Sequence, residues 1–258
     1  RNPLSHEVLM SRAAAYTPGP ISAGGAFTAD FALPGSLPLE QMPGLIERDR
    51  VVMTKRPGMR QKHLPFRVDT ASGKVLSGGR YLFGTFEQAE AYKTWAEREF
   101  VVDGVPFFRR PFFLNPVVLA WQVIGAHDFQ AIDSGHTCLR FERWAVENES
   151  VNARLASAWT ALQAGAAQQG CASVWLLHNP EHRQVGLVTV TGQRLPSTGG
   201  INQPPADPGE SLGTLLEAGG GVRKLFDRTS WVMTIWLPHG DSPETAALWP
   251  NSPPLPRP

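Results

Sequence analysis

The feature that most limits what this chain can fold into is an order of elements that occurs twice. "AFTADFALP" alternates apolar and polar residues like a short strand. Ser36 then stands as a helix N-cap before "LPLEQMPGLIERDRVVMTK", a helical pattern made irregular by Pro43 and ended by "RPGM". "RQKHLPFRVD" and "SGGRYLFG" flank the turn "TASGK" and predict a hairpin. Thr85 caps "FEQAEAYKTWAEREF", in which Phe86, Ala89, Tyr92 and Ala96 share one helical face. The strongly β-prone run "VVLAWQVIGAHDF" closes a strand–helix–strand–strand–helix–strand unit.

The second half repeats the order with little shared sequence. "HTCLRFERWAV" is a strand, and "ENESVNARLASAWTALQAGAAQQG" is a long Ala-rich helix stopped at Gly170. "CASVWLLHN" and "QVGLVTVTG" form a hairpin around "PEHR". A weaker, glycine-broken helix, "ESLGTLLEAGGGVRKLF", leads to a last strand, "SWVMTIWLP". The division expected is residues 21–130 for the first unit and 135–240 for the second. Residues 1–20 and 241–258 are Pro- and Gly-rich arms. Each unit predicts a four-stranded antiparallel sheet with two helices on one face. The other face of each sheet must also be covered, and packing the two sheets together within the chain does that. The segment Leu195 to Glu210 is long for a connection in a compact domain, as lids and binding loops often are.

Composition removes several classes of function. Basic and acidic residues number 24 and 23, so no cationic field points to nucleic acid. No stretch approaches the roughly 20 apolar residues that a membrane-crossing helix needs. The chain opens at Arg1, which leaves processing open and a cytoplasmic location as the default expectation. Two cysteines, Cys138 and Cys171, are too few for a disulfide scaffold or a four-thiolate zinc site. Eight tryptophans and thirteen phenylalanines against three tyrosines suggest a core or cavity walled by large apolar rings.

The first unit also carries a resemblance. Pro57, Gly58 and Met59 precede a strand containing Lys62. Gly78, Gly79, Tyr81, Leu82 and Phe83 follow the turn, and Ala89, Ala91 and Tyr92 lie on the next helix. This pattern resembles the small candidate monooxygenases of the YdhR type, within the dimeric α/β-barrel superfamily of ferredoxin-like proteins. The resemblance implies an α+β fold: two tandem ferredoxin-like βαββαβ units packed sheet to sheet as an intramolecular dimeric α/β barrel, the second unit diverged. The superfamily includes cofactor-free monooxygenases of polycyclic aromatics, haem-degrading enzymes, haem-dependent dehydratases, muconolactone-type isomerases and polyketide cyclases. Its pockets usually lie between a sheet and that sheet's own helices. Shared fold does not choose among these activities.

Read residue by residue, "AWQVIGAHDF" is the first candidate for chemistry. Strand alternation puts Trp121, Val123 and His127 on one face, with His127 at the strand end beside Asp128. A histidine there serves as a general base, since its reference pKa of about 6.5 is readily tuned near neutrality. The ordinary alternative is a loop histidine making one hydrogen bond. "HTCLRFERW" is the second candidate. Leu139 and Phe141 share one face, and His136, Cys138, Arg140, Glu142 and Trp144 the other. Arg140 either pairs with Glu142 or offers its guanidinium to a substrate oxygen.

Trp121, Trp144 and Trp175 are the rings expected to wall a pocket, with His63 and His178 on corresponding hairpin strands of the two units. His178 and His182 lack a third ligand nearby, so no metal site is expected. There is no G-x-S-x-G, and "AGGA", "SGGR" and "EAGGGVRK" do not open helices as dinucleotide loops do. "VPFFRRPFF" reads as a hydrophobic lining or subunit contact with flanking cations.

These readings give one expectation and two alternatives. The first is an enzyme acting without a bound cofactor on a small hydrophobic molecule, aromatic or polyketide-like. It would oxygenate, cyclise, dehydrate or isomerise the molecule, with His127 as base, Asp128 orienting it and Arg140 stabilising an oxyanion. The second is a haem-binding dehydratase or haem-degrading enzyme on the same fold. The third is a non-catalytic small-molecule binding module. No nucleic acid or membrane partner is expected, and a homodimer of the fused pair is left open.

Overall fold

The computed structural model describes residues 18–35, 52–53, 56–132, 138–192, 203–206 and 209–236. Eight strands form the barrel, beside the two-residue strand Gly19–Pro20 that joins the same sheet. They are β1 Gly25–Leu33, β2 Met59–Val68, β3 Val75–Phe83, β4 Leu114–Asp128, β5 Cys138–Val146, β6 Ser173–Asn179, β7 Gln184–Thr191 and β8 Val222–Trp236. Three α-helices are described: α1 Phe86–Thr94, α2 Ser150–Gln168 and the single turn α3 Thr214–Glu217. The spatial order of the strands is β4-β1-β3-β2-β8-β5-β7-β6, and β6 returns to β4, so the sheet closes on itself. All these pairings are antiparallel.

Closure depends on two long strands. β4 and β8 have 15 residues each, a reach of about 50 Å at the rise of a strand. The first part of β4 pairs with β1 and its end, from Gln122 to Asp128, pairs with β6. β8 likewise pairs with β5 up to Trp231 and with β2 from there onward. A closed sheet leaves no open edge among these strands. The interior is filled by Ala26, Leu82, Leu119, Trp121, Leu139, Phe141, Trp175, Leu177, Val188, Val190 and Val232, drawn from every strand but β2. Burying a side chain of this size is worth about 1.5–3 kcal/mol each.

The helices cover the outside. α1 begins in a capping box, in which the Gln88 amide N–H donates to Thr85 Oγ1 and the Thr85 N–H to Gln88 Oε1, both at 3.1 Å. Its Ala89 and Tyr92 pack with Phe27, Tyr81, Phe83 and Phe107 on the outer face of the first four strands. The expected helix from Phe86 to Phe100 is therefore shorter, since Trp95–Glu99 widens into a π turn. α2 lays Val151, Leu155, Leu162 and Ala166, spaced by four and seven, on the outer face of the other strands. Gly170, at φ 70°, ends it as expected.

Two further differences have physical causes. The last helix shrinks to α3 because Gly219, Gly220 and Gly221 break it, and the residues beyond from Val222 join β8. In "VPFFRRPFF", Phe107 and Phe108 are buried and the Arg110 guanidinium lies over Phe107, Phe112 and Phe113, so the segment is a cation-capped aromatic wedge. The expected first helix, the loop Leu195–Glu210, His136 and the two arms lie largely or wholly outside the described residues. Cys138 and Cys171 are buried and are not joined in a disulfide.

Candidate functional site

The register of β4 decides where its candidate residues point. Val123 pairs with Leu177, but Gly125 pairs with Leu176, so Ile124 is an extra residue, a β-bulge. Before the bulge, Trp121 and Val123 face the interior. After it, Ala126 and Asp128 face inward opposite Trp175 and Ser173, while Gly125 and His127 face outward opposite Leu176 and Val174. The expectation that Trp121, Val123 and His127 share a face is overturned for His127, because one inserted residue inverts a period of two.

His127 opens onto a cleft of about 530 Å³ between the outer face of β4 and α2. Ile124, Gly125, Ala126 and His127 form its floor, and Trp159 and Gln163 of α2 one wall. The opposite rim is Pro20 to Gly24, with Gly84 beside it. The rim is fixed by backbone pairing: Gly19 and Pro20 pair with Asp128 and His127, Ile21 N–H donates to Ala126 O at 2.9 Å and Val123 N–H to Gly24 O at 3.1 Å. Trp159 and Gln163 are four apart, one above the other on a single helix face.

The partner of His127 is Gln163, whose Nε2 lies 3.1 Å from Nδ1, with the Phe129 ring 4.5 Å away centroid to centroid. An amide presents either a donor or an acceptor, so the way Gln163 is turned selects one neutral tautomer of the ring. With its nitrogen on Nδ1, the imidazole carries its proton on Nε2 and donates. Turned over, its oxygen accepts a hydrogen bond from Nδ1–H and leaves Nε2 as a base.

Asp128 does not orient His127. Adjacent strand residues point to opposite faces, and the Asp128 carboxylate, 1% exposed, accepts from Gln61 Nε2 at 2.6 Å inside the barrel. Gln61 Oε1 lies 3.1 Å from His63 Nε2, and His63 stands edge-on to Trp175 at 5.5 Å. Trp175 donates to Ser173 Oγ at 3.1 Å and Trp121 to Thr28 Oγ1 at 2.8 Å. Asp128, Gln61 and His63 thus form a buried polar chain inside the barrel, with Trp175 against it and Trp121 bonded to Thr28, all separate from the cleft.

Arg140 is also apart. It faces outward from β5 and grips Asp227 of β8 with two hydrogen bonds of 2.9 and 2.8 Å, with Glu142 at 3.7 Å. The expected Arg140–Glu142 pair is secondary to this fork. Glu142 instead takes Lys224 Nζ at 2.9 Å and the Ser211 hydroxyl. Trp144, on the same outer face, donates to Glu217 Oε1 at 2.8 Å under α3. His178 lies on the outer face of β6, half-buried. Burial pulls its imidazole below the ordinary range, against the field of Glu149. Among the described residues no group of three or more His, Cys, Asp or Glu could hold a metal ion, and no helix is long and apolar enough to cross a membrane.

Sequence reasoning missed Trp159 and Gln163. Their signal was present as an indole and an amide four apart in "WTALQ", but it reads as surface until the bulge turns His127 toward that helix.

The barrel and its external helices define the class: an α+β chain built on a closed, eight-stranded antiparallel barrel, compatible with the dimeric α/β-barrel fold. Neither a family model nor a curated protein matches the sequence. Among solved structures, a candidate monooxygenase from Fusobacterium nucleatum is similar at 10% identity and a TM-score of 0.55, covering 85% of this chain and 97% of its own. An anthrone oxidase-like protein is similar at 16% identity and a TM-score of 0.51, covering 84% and 95%. At these identities the likeness shows the fold.

Proposed function

We propose that the chain is an enzyme that performs acid–base chemistry on a small hydrophobic molecule in the cleft between β4 and α2, with His127 as the group that moves the proton. The observation that carries this is the cleft itself. One imidazole, held by an amide, is set among the apolar walls of Trp159, Ile124 and Ile21 in a volume of about 530 Å³, within the usual range for small-molecule sites. Trp159 supplies a flat face for an aromatic ligand. Gln163 fixes the ring and its tautomer, the role first given to Asp128. Proton removal from an electron-rich aromatic would yield an anion that either reduces O₂ directly or rearranges by cyclisation or isomerisation. The neighbours named as a monooxygenase and anthrone oxidase-like agree with the first outcome.

The same reading treats the chain as two tandem ferredoxin-like units. It is supported by the strand order, fourth-first-third-second in β1–β4 and again in β5–β8, with each unit's second strand pairing the other's fourth.

The test is a screen of small aromatic and polyketide-like compounds by tryptophan quenching, followed by turnover of the binders under air and under argon. His127→Ala is expected to lower turnover by about 10²-fold or more while leaving the fold intact by circular dichroism. Full turnover in that variant would remove His127 from the chemistry. Haem is the alternative occupant, with His127 as the ligand that Gln163 would orient. An absorption band near roughly 400 nm on adding haem, lost in His127→Ala, would replace the cofactor-free reading.

A further inference from the structure

The barrel interior holds a second cluster, unconnected with the cleft. Arg80 of β3 is 1% exposed. Its Nη2 lies 2.6 Å from Asp30 Oδ1 of β1, and its Nη1 donates to Ala29 O at 2.6 Å. Arg228 of β8 approaches the same Asp30 oxygen at 3.7 Å. Arg143 of β5, 9% exposed, donates to the neutral Gln184 Oε1 at 3.1 Å. Arg67 of β2 bonds Thr229 O of β8 at 3.0 Å and adds its charge to the field at Arg228. Arg80 and Arg228 thus meet the inward carboxylate of Asp30 directly, Arg143 feels its field, and Asp69, on the exposed turn after Arg67, lies within the field of Arg67.

The guanidiniums are also arranged for recognition. The Arg80 guanidinium lies over Phe141 at 4.2 Å, and those of Arg143 and Arg228 over Phe226 at 4.9 and 4.7 Å. A guanidinium whose face is covered by a ring presents its N–H edge, the geometry that forks onto an oxyanion. Nε of Arg80 and Nε of Arg143 are buried and have no hydrogen-bond partner among the described residues, a costly state for a charged donor. Burial first, and the neighbouring guanidiniums after it, pull Arg143 and Arg228 below the ordinary arginine range, against the opposing pull of Asp30. A bound anion would offset that repulsion.

We propose that Arg67, Arg80, Arg143 and Arg228 form an anion-binding site at one end of the barrel, for a carboxylate or phosphate group. Asp30 neutralises Arg80 and leaves the others to the ligand, and Phe226 and Phe141 supply an apolar bed for a carboxylate borne on an aromatic ring. The site faces inward, whereas the His127 cleft faces outward, so the two bind independently.

The test is isothermal titration calorimetry and thermal unfolding with inorganic phosphate and with benzoate, against chloride at matched ionic strength. Saturable binding and a rising Tm are expected, with affinity about tenfold weaker or worse in R143Q and R228Q and unchanged in H127A. Arg228, with 21% of its side chain exposed, keeps the test alive should R143Q not fold. Preference for phosphate or for benzoate identifies the source of the oxyanion. No saturable binding of either probe, or binding retained in the arginine variants, overturns the proposal.

Discussion

The indole of Trp159 in α2 lies directly on Gly125 of β4, so that a Cβ at Gly125 would fall 2.1 Å from Cε2. Gly125 follows the bulge that turns His127 outward, and its missing side chain lets the helix come close enough for Gln163 to reach the imidazole. Gly125→Ala is expected to push α2 away, lowering stability by about 1–3 kcal/mol and loosening the His127–Gln163 contact. Urea unfolding measures the first, and ¹⁵N shifts of the His127 ring the second.

Gln163→Leu keeps the volume of the wall and removes the amide. The fold is expected to survive, because Gln163 lines the cleft rather than the core. The His127 ring should change from one dominant tautomer to a mixture, read by ¹⁵N NMR. Turnover of a cleft ligand should fall while its KM stays within about twofold. An unchanged tautomer would show that the amide does not set the ring.

The ion network under α3 sets an acid limit to stability. Glu217 sits below the ordinary carboxylate range, chiefly because the Trp144 indole donates to it, with Lys224 adding to the effect against desolvation. For Asp227 burial is the largest single influence and pushes upward, but Arg140 and Lys224 together outweigh it and leave the carboxyl low. Both folded values lie below the unfolded ones. Their stabilisation is therefore complete above the unfolded range near pH 4 and is lost as pH falls through the folded values. Tm between pH 3 and 7 should drop more steeply in the wild type than in a D227N/E217Q variant. Solvent screening keeps the difference small.

Asp30 is the counter-charge of a guanidinium that is 1% exposed. Asp30→Asn leaves Arg80 buried and uncompensated, and the expected loss is about 3–5 kcal/mol by chemical denaturation. Added phosphate should recover part of it if the arginine cluster binds anions.

Burial raises the Cys171 thiol above its ordinary range, and Cys138 is buried with it. Both should resist a thiol reagent at pH 8 in the folded protein and react fully in urea. Fast labelling of the native state would show that the outer face of β5 and β7 opens.

The sequence alone determined the barrel's parts. Period-two runs, the Thr85 and Gln88 capping pair, the Gly170 stop and the two hairpins are local signals, and each acts within a few residues. It also assigned the two faces of β5 correctly, since Leu139 and Phe141 point in and Arg140, Glu142 and Trp144 point out. The tertiary structure decided everything that depends on phase and partner. A single bulged residue, Ile124, put His127 outside and Trp121 inside, and pairing with β6 fixed that bulge from more than fifty residues away. Asp128 found Gln61, Arg140 found Asp227, and His127 found Gln163, because strand alternation forbids the nearest neighbour in sequence and leaves the choice to whichever element packs opposite. Arg80, inside a glycine-rich strand that reads as scaffold, gained its charge environment only when barrel closure brought Asp30, Arg143 and Arg228 to the same interior. Charges buried together have no signature in a linear chain, since what sets their energy is distance and dielectric.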